Sequence, residues 1–168
     1  VLSTNIAQTS LTIEGITVVV DSGLQNVSIF NPFSGMNKLE SNFISQDSAT
    51  QREGRAGRLS EGKAYHLWHK SKILLKHDVP EILLADLSHM VLELARWGND
   101  EIDTLSWMDR PPSSAVNHAK KLLQQLGALD EKGDITTHGI AMSRYGLHPR
   151  LAHMMLKAQT LGLAYEAS

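Results

Sequence analysis

The sequence predicts an α/β segment followed by a mainly helical one, and three observations support this. Up to about residue 70, short β-branched apolar runs alternate with polar, helix-compatible stretches. Beyond residue 70, apolar residues recur three or four positions apart, which is the spacing of one helix face. The composition, 42% hydrophobic and 20% charged over 168 residues, is that of a globular chain with one sizeable core or two small ones.

The first segment begins with a predicted strand–helix–strand unit. Val1-Leu2 and the run ITVVV at 16–20 are short and apolar, as are strands buried on both faces of a parallel sheet. The stretch at 4–15 between them is polar and compatible with a helix. We therefore expect two buried strands joined by a helix.

A hairpin, a helix and a further strand are predicted to complete the first segment. Residues 26–45 contain two strand-like runs around turn signals at 31–35. Ser45 is a suitable N-cap for a helix that runs towards Gly57. The run AYHLW at 64–68 predicts the strand.

The second segment predicts three helices and a small hairpin. A helix is expected from Pro80 to the stop signal Gly98, because helix starts tolerate proline and glycine is common just after helix ends. Its core-facing stripe consists of Leu83, Leu87, Met90, Val91, Leu94 and Trp97. Residues 113–126 predict a second helix, 128–139 a hairpin, and Pro149 opens another amphipathic helix. Two helices followed by a small hairpin suggest a winged helix.

Charge and residue usage exclude several classes of site. A net charge of −2 argues against non-specific coating of nucleic acid. The absence of cysteine excludes disulfides, thiolate metal sites and cysteine nucleophiles, and fits a reducing, cytoplasmic setting. No apolar run reaches the ~18 residues of a membrane span, so no membrane partner is expected. The chain lacks an initiator Met, and we interpret it as a piece of a longer protein.

One glycine pattern superficially predicts a phosphate-binding loop. Residues 57–64 read Gly-x-x-x-x-Gly-Lys-Ala, one residue short of the P-loop pattern. A P-loop follows a strand and precedes a helix, because the helix N-terminus faces the phosphates. Here a predicted helix precedes Gly57 and a strand follows Lys63, and Ala64 replaces the hydroxyl that would hold Mg²⁺. We interpret this stretch as an ordinary helix-to-strand turn.

Three arginines spaced three apart predict a cationic ridge. Arg52, Arg55 and Arg58 would share a helix face, and Gly54 and Gly57 leave room for another surface to approach. Guanidinium groups in such a ridge suit a phosphate clamp. A solvated basic face explains the spacing equally well.

Two stretches resemble motifs of one enzyme family. QREGRAGR at 51–58 resembles motif VI of the DEAH-type helicases of superfamily 2, whose pattern is Gln-Arg-x-Gly-Arg-Ala-Gly-Arg. STNIAQTSLTIEGI at 3–16 resembles motif V of that family, usually Thr-Asn-Ile-Ala-Glu-Thr-Ser-Leu-Thr-Ile. The order of the motifs and the hairpin between them also match. So do VVVDSG at 18–23, directly after motif V, and the later segments GALD and HPRLAHMML. The resemblance covers nearly the whole chain and is strongest to the bacterial HrpB-type branch.

The resemblance implies the architecture and the partners. It places the later part of a second RecA-like lobe at 1–70, a winged-helix domain at 71–146 and the start of a helical, ratchet-like bundle at 147–168. It implies an ATP-dependent RNA helicase, an NTP hydrolase that moves on single-stranded nucleic acid, with RNA favoured. ATP with Mg²⁺ would be bound mainly by the first RecA-like lobe. That lobe's phosphate loop and carboxylates are missing from these 168 residues, so the chain alone should be inactive.

The resemblance also assigns residues of the ATP site. Arg55 and Arg58 match the arginine fingers on the γ-phosphate, and Gln51 matches the residue that positions the attacking water. Thr12 and Glu14 lie where motif V turns towards the nucleotide. These five residues are the predicted catalytic and nucleotide-binding set.

The remaining motif residues receive other assignments. Thr4 and Asn5 match the end of motif V that contacts the nucleic-acid backbone, although a strand-end hydroxyl that caps the next helix is the simpler alternative. Arg52 could serve the motif or an ion pair. Gln8 stands where the family usually has Glu, which puts an ionic role of that position in doubt.

Two other functions stay open, and no metal site is expected. The chain could be a non-catalytic winged-helix module that binds nucleic acid, which its acidic balance disfavours, or a catalytically dead interaction domain. His66 and His69 are three apart on a predicted strand, so they point to opposite faces. Asp86-Leu-Ser-His89 lacks the second carboxylate of a DExH box, and core packing explains it better.

Overall fold

The chain folds into two compact units with separate cores. A computed structural model describes residues 1–9, 13–58, 60–98 and 102–163. The first unit comprises Val1–Ile29 and Lys38–Pro80, and the second comprises Phe30–Asn37 and Glu81–Ser168. Within the described ranges, every helix is too short or too polar to span a bilayer.

The first unit contains a parallel pair of strands. Strand β1 (Val18–Asp21) pairs with β4 (Lys63–His66), with Val18 opposite Lys63. The prediction of a parallel sheet is confirmed for this pair. The prediction that β1 is buried on both faces is wrong, because Val18 and Val20 are 52% and 62% exposed. In the described part of the chain, β1 has one neighbouring strand, so its apolar residues are not enclosed.

The start of the chain also differs from the prediction. Val1 and Leu2 form no strand and are exposed. Strand propensity alone does not make a strand, because the ladder needs a partner. The predicted helix is present as α1 (Ile6–Thr9), and residues 10–12 lie outside the described part.

The hairpin and the helix after it are present as predicted. Strands β2 (Leu24–Asn31) and β3 (Met36–Phe43) form a two-stranded sheet, and the Gly35 N–H donates to the Asn31 carbonyl at 2.8 Å in the turn. Gly35 has φ +65°, which glycine adopts without strain. Helix α2 (Gln46–Glu53) follows β3 directly.

In the second unit, the predicted helix from Pro80 is interrupted. A 3₁₀ turn covers Glu81–Leu83, and helix α3 begins only at Ser88 and ends at Arg96 (Ser88–Arg96). The Asp86 carboxylate accepts a hydrogen bond from the Ser88 N–H at 2.8 Å. Asp86 precedes Leu87, the N-cap residue of α3, so this bond forms a local turn that competes with a continuous helix from Pro80.

Three further helices surround the second core. They are α4 (Ser113–Gln125), α5 (Thr137–Ser143) and α6 (Pro149–Thr160). The first and last were predicted, whereas the first three residues of α5 were assigned to the end of a hairpin and the rest of α5 was not predicted. That hairpin is reduced to one antiparallel bridge, Leu129 with Ile135, because the Thr136 hydroxyl accepts from the Gly139 N–H at 3.0 Å and caps α5.

The core of the second unit is mainly apolar. Its buried members are Leu87, Val91, Leu92, Leu94, Ile102, Ala119, Leu123, Ala128, Leu129, Met142 and Ala152. They come from α3, α4, α5, α6 and the connections between these helices. Of the predicted stripe, Leu87, Val91 and Leu94 are buried in this core and Met90 packs against it. Leu83 and Trp97 are 41% and 79% exposed, so the prediction is wrong for these two, because one precedes α3 and the other lies at its C-cap.

Candidate functional site

Helix α2 begins at a cap that the sequence predicts. The Ser45 hydroxyl accepts a hydrogen bond from the Ser48 N–H at 3.1 Å. Ile44, which precedes the cap, is 1% exposed and belongs with Ala49 and Leu74 to the small core of the first unit. The start of α2 is therefore fixed by both a cap and a buried apolar anchor.

Four polar side chains of α2 and the turn after it converge on Gln8. They are Ser48, Gln51, Arg52 and Arg55, spaced i, i+3, i+4 and i+7. Gln8 Nε2 donates to Ser48 Oγ at 2.9 Å and to Gln51 Oε1 at 3.1 Å. Gln8 Oε1 accepts from Arg52 Nε at 3.1 Å, and the Gln8 main-chain carbonyl accepts from Arg55 Nη2. One residue of α1 thus contacts four residues of the helix and its exit.

Arg52 forms an ion pair with Asp21. Arg52 Nη1 lies 2.9 Å from Asp21 Oδ1, and the side chains are 14% and 5% exposed. The predicted ridge of three arginines is therefore wrong. Helix α2 ends at Glu53, so Arg55 and Arg58 follow the helix and do not share a helical face with Arg52. Of the two roles left open for Arg52, the structure contains the ion pair.

Ser48 connects Gln8 to Asp78. Ser48 is 1% exposed, and its Oγ donates to Asp78 Oδ2 at 2.6 Å. Burial raises the pKa of Asp78, but hydrogen bonds from Ser48, Gln25 and Ser45 outweigh it and hold the pKa below its ordinary value. The carboxylate is therefore ionised at neutral pH and keeps the Ser48 hydrogen directed towards it.

The predicted ATP-site residues of α2 and the following turn line one cleft. This arginine cleft, of about 360 Å³, is lined by Gln8, Gln51, Gly54, Arg55 and Arg58. Two guanidinium groups, an amide and a residue without a side chain make a concave surface suited to an anion. A Cβ on Gly57 would meet nothing within 4 Å, so the turn beside the cleft is open, as the glycine spacing predicted.

The false P-loop stretch has a structural explanation. Strand β4 begins at Lys63, directly after the second glycine of the pattern, so the order of elements is opposite to that of a phosphate loop. A Cβ on Gly62 would lie 2.1 Å from the Ala56 carbonyl oxygen. Gly62 is therefore required by a close backbone approach.

Other predicted residues lie outside the arginine cleft. Thr4 and Asn5 are exposed at the start of α1, and Glu14 is exposed in a turn. None of them is among the residues that line the cleft. Thr12 lies outside the described residues.

The second unit contains a Ser–His–Asp cluster that the sequence reading did not identify. His148 Nδ1 accepts from the Arg150 N–H at 3.2 Å, so Nε2 carries the hydrogen and donates to Asp86 Oδ2 at 2.7 Å. The Ser88 Oγ donates to Asp86 Oδ1 at 2.7 Å. In a catalytic triad the serine donates to histidine, and here it donates to the carboxylate. The cluster joins the start of α3 to the start of α6, which corrects the assignment of Asp86 to core packing.

Histidines of the first unit make other contacts. The His66 ring stacks on Trp68 with centroids 4.3 Å apart, and His69 Nδ1 lies 2.7 Å from Ser71 Oγ. Among the described residues, no group of three or more His, Asp or Glu side chains is arranged to hold a metal ion.

A family model matches the second unit. Residues 121–147 match the winged-helix helicase-associated domain, HA2. This range covers the end of α4, the Leu129–Ile135 bridge and α5, where the sequence predicted a winged helix. The chain therefore contains an HA2 winged helix.

Curated relatives extend the match over nearly the whole chain. The chain is 45% identical over 161 residues to ATP-dependent RNA helicase HrpB of Escherichia coli, covering 95% of the chain and 20% of that protein. It is 43% identical to the probable ATP-dependent RNA helicase DHR2 of Saccharomyces cerevisiae, covering 96% and 22%. It is 40% identical to the pre-mRNA-splicing factor ATP-dependent RNA helicase prp22 of Schizosaccharomyces pombe, covering 99% and 14%.

Solved structures agree with these relatives. A crystal structure of the E. coli DEAH/RHA helicase HrpB superposes with a TM-score of 0.92 at 43% identity, covering 98% of this chain and 21% of that one. The chain is related to the DEAH-type RNA helicases. A crystal structure of the E. coli DExH-box NTPase HrpB gives a TM-score of 0.88 at 43% identity, covering 97% and 20%. The chain spans about a fifth of the length of these HrpB proteins, and the resemblance predicted from motifs V and VI is confirmed.

Three polar residues of the network escaped the sequence reading. Ser48 carries no motif signal that separates it from ordinary polar residues, and Asp21 lies in VVVDSG, which the resemblance covers without giving Asp21 a role. Gln8 did carry one, its departure from the usual Glu of motif V. The structure identifies all three, because their contacts join positions 31 to 44 residues apart along the chain.

Proposed function

We propose that this chain supplies one wall of the ATP site of a DEAH-type RNA helicase. The observation that carries the proposal is the convergence of Gln51, Arg55 and Arg58 on the arginine cleft. The relatives named RNA helicases support it as well. In the longer protein, 1–70 would form the later part of a second RecA-like lobe, 71–146 a winged-helix domain and 147–168 the start of a ratchet-like domain.

The chemistry of the cleft suits a transferring phosphoryl group. Phosphoryl transfer spreads negative charge over oxygens that guanidinium groups stabilise, and one such arginine contributes ~10³–10⁵ in rate. Arg58 is exposed beside the cleft, whereas Arg55 is half-buried and bonded to the Gln8 carbonyl. Because Arg58 is the more exposed of the two, we expect Arg58 to contact a nucleotide held by a facing lobe.

The cleft fits phosphate oxygens better than it fits Mg²⁺. Mg²⁺ prefers carboxylate and water oxygens, and no carboxylate is among the residues that line the cleft. Mg²⁺ would be held by the first RecA-like lobe together with most of the ATP. The 168-residue chain alone should therefore not hydrolyse ATP.

Nucleic acid would contact the other end of α1. Thr4 and Asn5 are exposed there, and a hydroxyl and an amide can bind phosphate oxygens without reading sequence. Closure of two lobes around ATP, followed by hydrolysis, would move single-stranded RNA past these contacts. Thr12 and Glu14 stay predicted nucleotide contacts, and a cytoplasmic setting stays a prediction.

The decisive experiment compares ATP hydrolysis by the full-length protein and its Arg58→Ala variant, with RNA present. We expect kcat to fall by roughly 10³-fold, because an arginine finger acts on the transition state. ATP affinity should change much less, since most of the nucleotide is held elsewhere. Arg110→Ala, at an exposed arginine of the second unit, is the matched control and should hydrolyse ATP like the parent.

Two results would contradict the proposal. Equal rates for the parent and Arg58→Ala would remove Arg58 from the site. Absence of RNA-stimulated hydrolysis from the parent, with RNA binding retained, would favour the non-catalytic winged-helix module instead.

A further inference from the structure

The hydrogen bonds around Gln8 have a fixed direction. Arg52 can only donate, and its guanidinium is held by Asp21 at 2.9 Å and by the Leu24 carbonyl at 3.2 Å. Because Arg52 Nε donates to Gln8, Gln8 must turn its Oε1 towards Arg52. The amide of Gln8 therefore has one orientation that fits its neighbours.

The opposite side of the Gln8 amide offers two hydrogens to two acceptors. Ser48 directs its single hydroxyl hydrogen to Asp78 at 2.6 Å, so Ser48 Oγ can only accept from Gln8. Gln51 Oε1 accepts a hydrogen bond from Gln8 Nε2 at 3.1 Å. If the Gln51 amide were reversed, its Nε2 would face Gln8 Nε2, and two donors would oppose each other. The orientation of Gln51 follows from that of Gln8.

This arrangement decides which group Gln51 offers to the cleft. With Oε1 bonded to Gln8, the Nε2 of Gln51 lies on the far side of its amide, and Gln51 lines the cleft beside Arg55 and Arg58. We propose that Gln8 is a positioning residue that orients the Gln51 amide, so that Gln51 presents an N–H donor to an anionic phosphate oxygen in the arginine cleft, in place of the water-positioning role that the resemblance implies for Gln51. The inference rests on the proposed function. Gln8 also lines the cleft, so the experiment must separate an effect through Gln51 from a direct effect of Gln8 on the anion.

A carboxylate at position 8, usual in the motif that this stretch resembles, would reverse the arrangement. It has no hydrogen to donate to Ser48 or Gln51. It would accept hydrogen bonds from Arg52 and from the Nε2 of Gln51. For this the Gln51 amide would have to flip, so that its oxygen and nitrogen exchange positions. Gln51 would then present its oxygen to the cleft, where an anion is repelled. With glutamine at position 8, Gln51 therefore presents a hydrogen-bond donor to the cleft, whereas with a carboxylate there it would present an acceptor.

Steady-state kinetics of the full-length protein with saturating RNA test the proposal. In Gln8→Glu we expect kcat to fall about tenfold or more, the effect of one lost hydrogen bond to a charged group, with little change in the KM for ATP. The double variant Gln8→Glu/Gln51→Ala should be no slower than Gln51→Ala alone, because both changes remove one contact. The proposal would be overturned if the falls in kcat of the two single variants multiplied in the double variant. It would also be overturned if Gln51→Ala hydrolysed ATP at the parent rate.

Two controls separate orientation from net charge and from misfolding, and the double variant above separates it from the local charge in the cleft. Gln125→Glu adds the same charge at an exposed position of α4 and should leave kcat unchanged. If circular dichroism shows that Gln8→Glu does not fold, the double variant Gln8→Glu/Ser48→Ala is used in its place. In that variant the carboxylate no longer meets Ser48 Oγ. The kinetic expectation for this second variant is the same.

A spectroscopic readout is independent of ATP hydrolysis. In protein labelled with ¹⁵N-glutamine, the Gln51 side-chain NH₂ resonance should move downfield in Gln8→Glu, because it then donates to a carboxylate. If the parent hydrolyses no ATP, the proposed function fails, and this resonance alone decides the role of Gln8. An unmoved Gln51 resonance in Gln8→Glu would show that Gln8 does not orient Gln51.

Discussion

The two units differ in what holds their side chains in place. Among the described residues, the core of the first unit buries three apolar residues, and hydrogen bonds and an ion pair around Gln8 join its elements. The core of the second unit buries eleven apolar residues. Apolar packing has no preferred direction, whereas hydrogen bonds fix orientation. The candidate site thus lies in the unit whose side chains are oriented by directional contacts.

The largest expected loss of stability comes from breaking the polar network of the first unit. Arg52→Ala leaves Asp21, 6% exposed, as a buried charge without its cation. Removing one partner of a buried pair costs ~3–5 kcal/mol. Hydrogen exchange of peptides from α2 should show this loss.

Hydrogen exchange can also show which of the two units loses stability. Exchange in α4 should change less than exchange in α2, because Arg52 belongs to the first unit. Arg110→Ala is the matched exposed control. Equal acceleration of exchange in both units would mean that the two do not unfold separately.

A cavity in the second core should have the next largest effect. Leu123 is 0% exposed, and Leu123→Ala should lower the free energy of unfolding by ~2–5 kcal/mol. Trp107 packs against this core, so its fluorescence during urea unfolding reports the change. Leu161→Ala, at a residue 72% exposed, should leave the midpoint nearly unchanged. An equal effect of the two substitutions would mean that apolar packing does not dominate the second unit.

The smallest effect is expected at the polar cluster of the second unit. Asp86→Asn replaces an acceptor of His148 and Ser88 and should cost ~1–3 kcal/mol at neutral pH. Burial raises the pKa of Asp86, but hydrogen bonds from His148 and Ser88 outweigh it, so the pKa lies below its ordinary value of 3.8. The stabilisation is therefore complete above pH 3.8 and is lost as the pH falls through the lower, folded-state pKa.

Unfolding at several pH values checks this sign. The difference between the parent and Asp86→Asn should be constant above about pH 5 and shrink towards lower pH, where the parent carboxylate gains a proton. Asp109→Asn, at an exposed position, is the control. A difference that grows as the pH falls would contradict the assignment of Asp86 as the stabilising carboxylate.

Local signals predicted the elements that depend on neighbouring residues. Ser45 caps α2, Pro149 opens α6, and the turn at 31–35 closes the hairpin, each at the predicted place. The sequence analysis did not predict the interruption before Ser88, because the continuous apolar stripe favours an unbroken helix. The hydrogen bond from the Ser88 N–H to the Asp86 carboxylate competes with that helix. The strand at Val1-Leu2 was wrong for the related reason that propensity does not supply a pairing partner.

The sequence by itself determined the relationship to DEAH-type helicases and the winged helix, and it predicted the set Gln51, Arg55 and Arg58. These follow from motifs and periodicity, which are properties of neighbouring positions. Only the tertiary structure decided that Arg52 pairs with Asp21 and that the Gln8 amide donates to Gln51. The direction of a side chain depends on donors and acceptors brought together from distant parts of the chain. Spacing along one helix cannot reveal which of them meet.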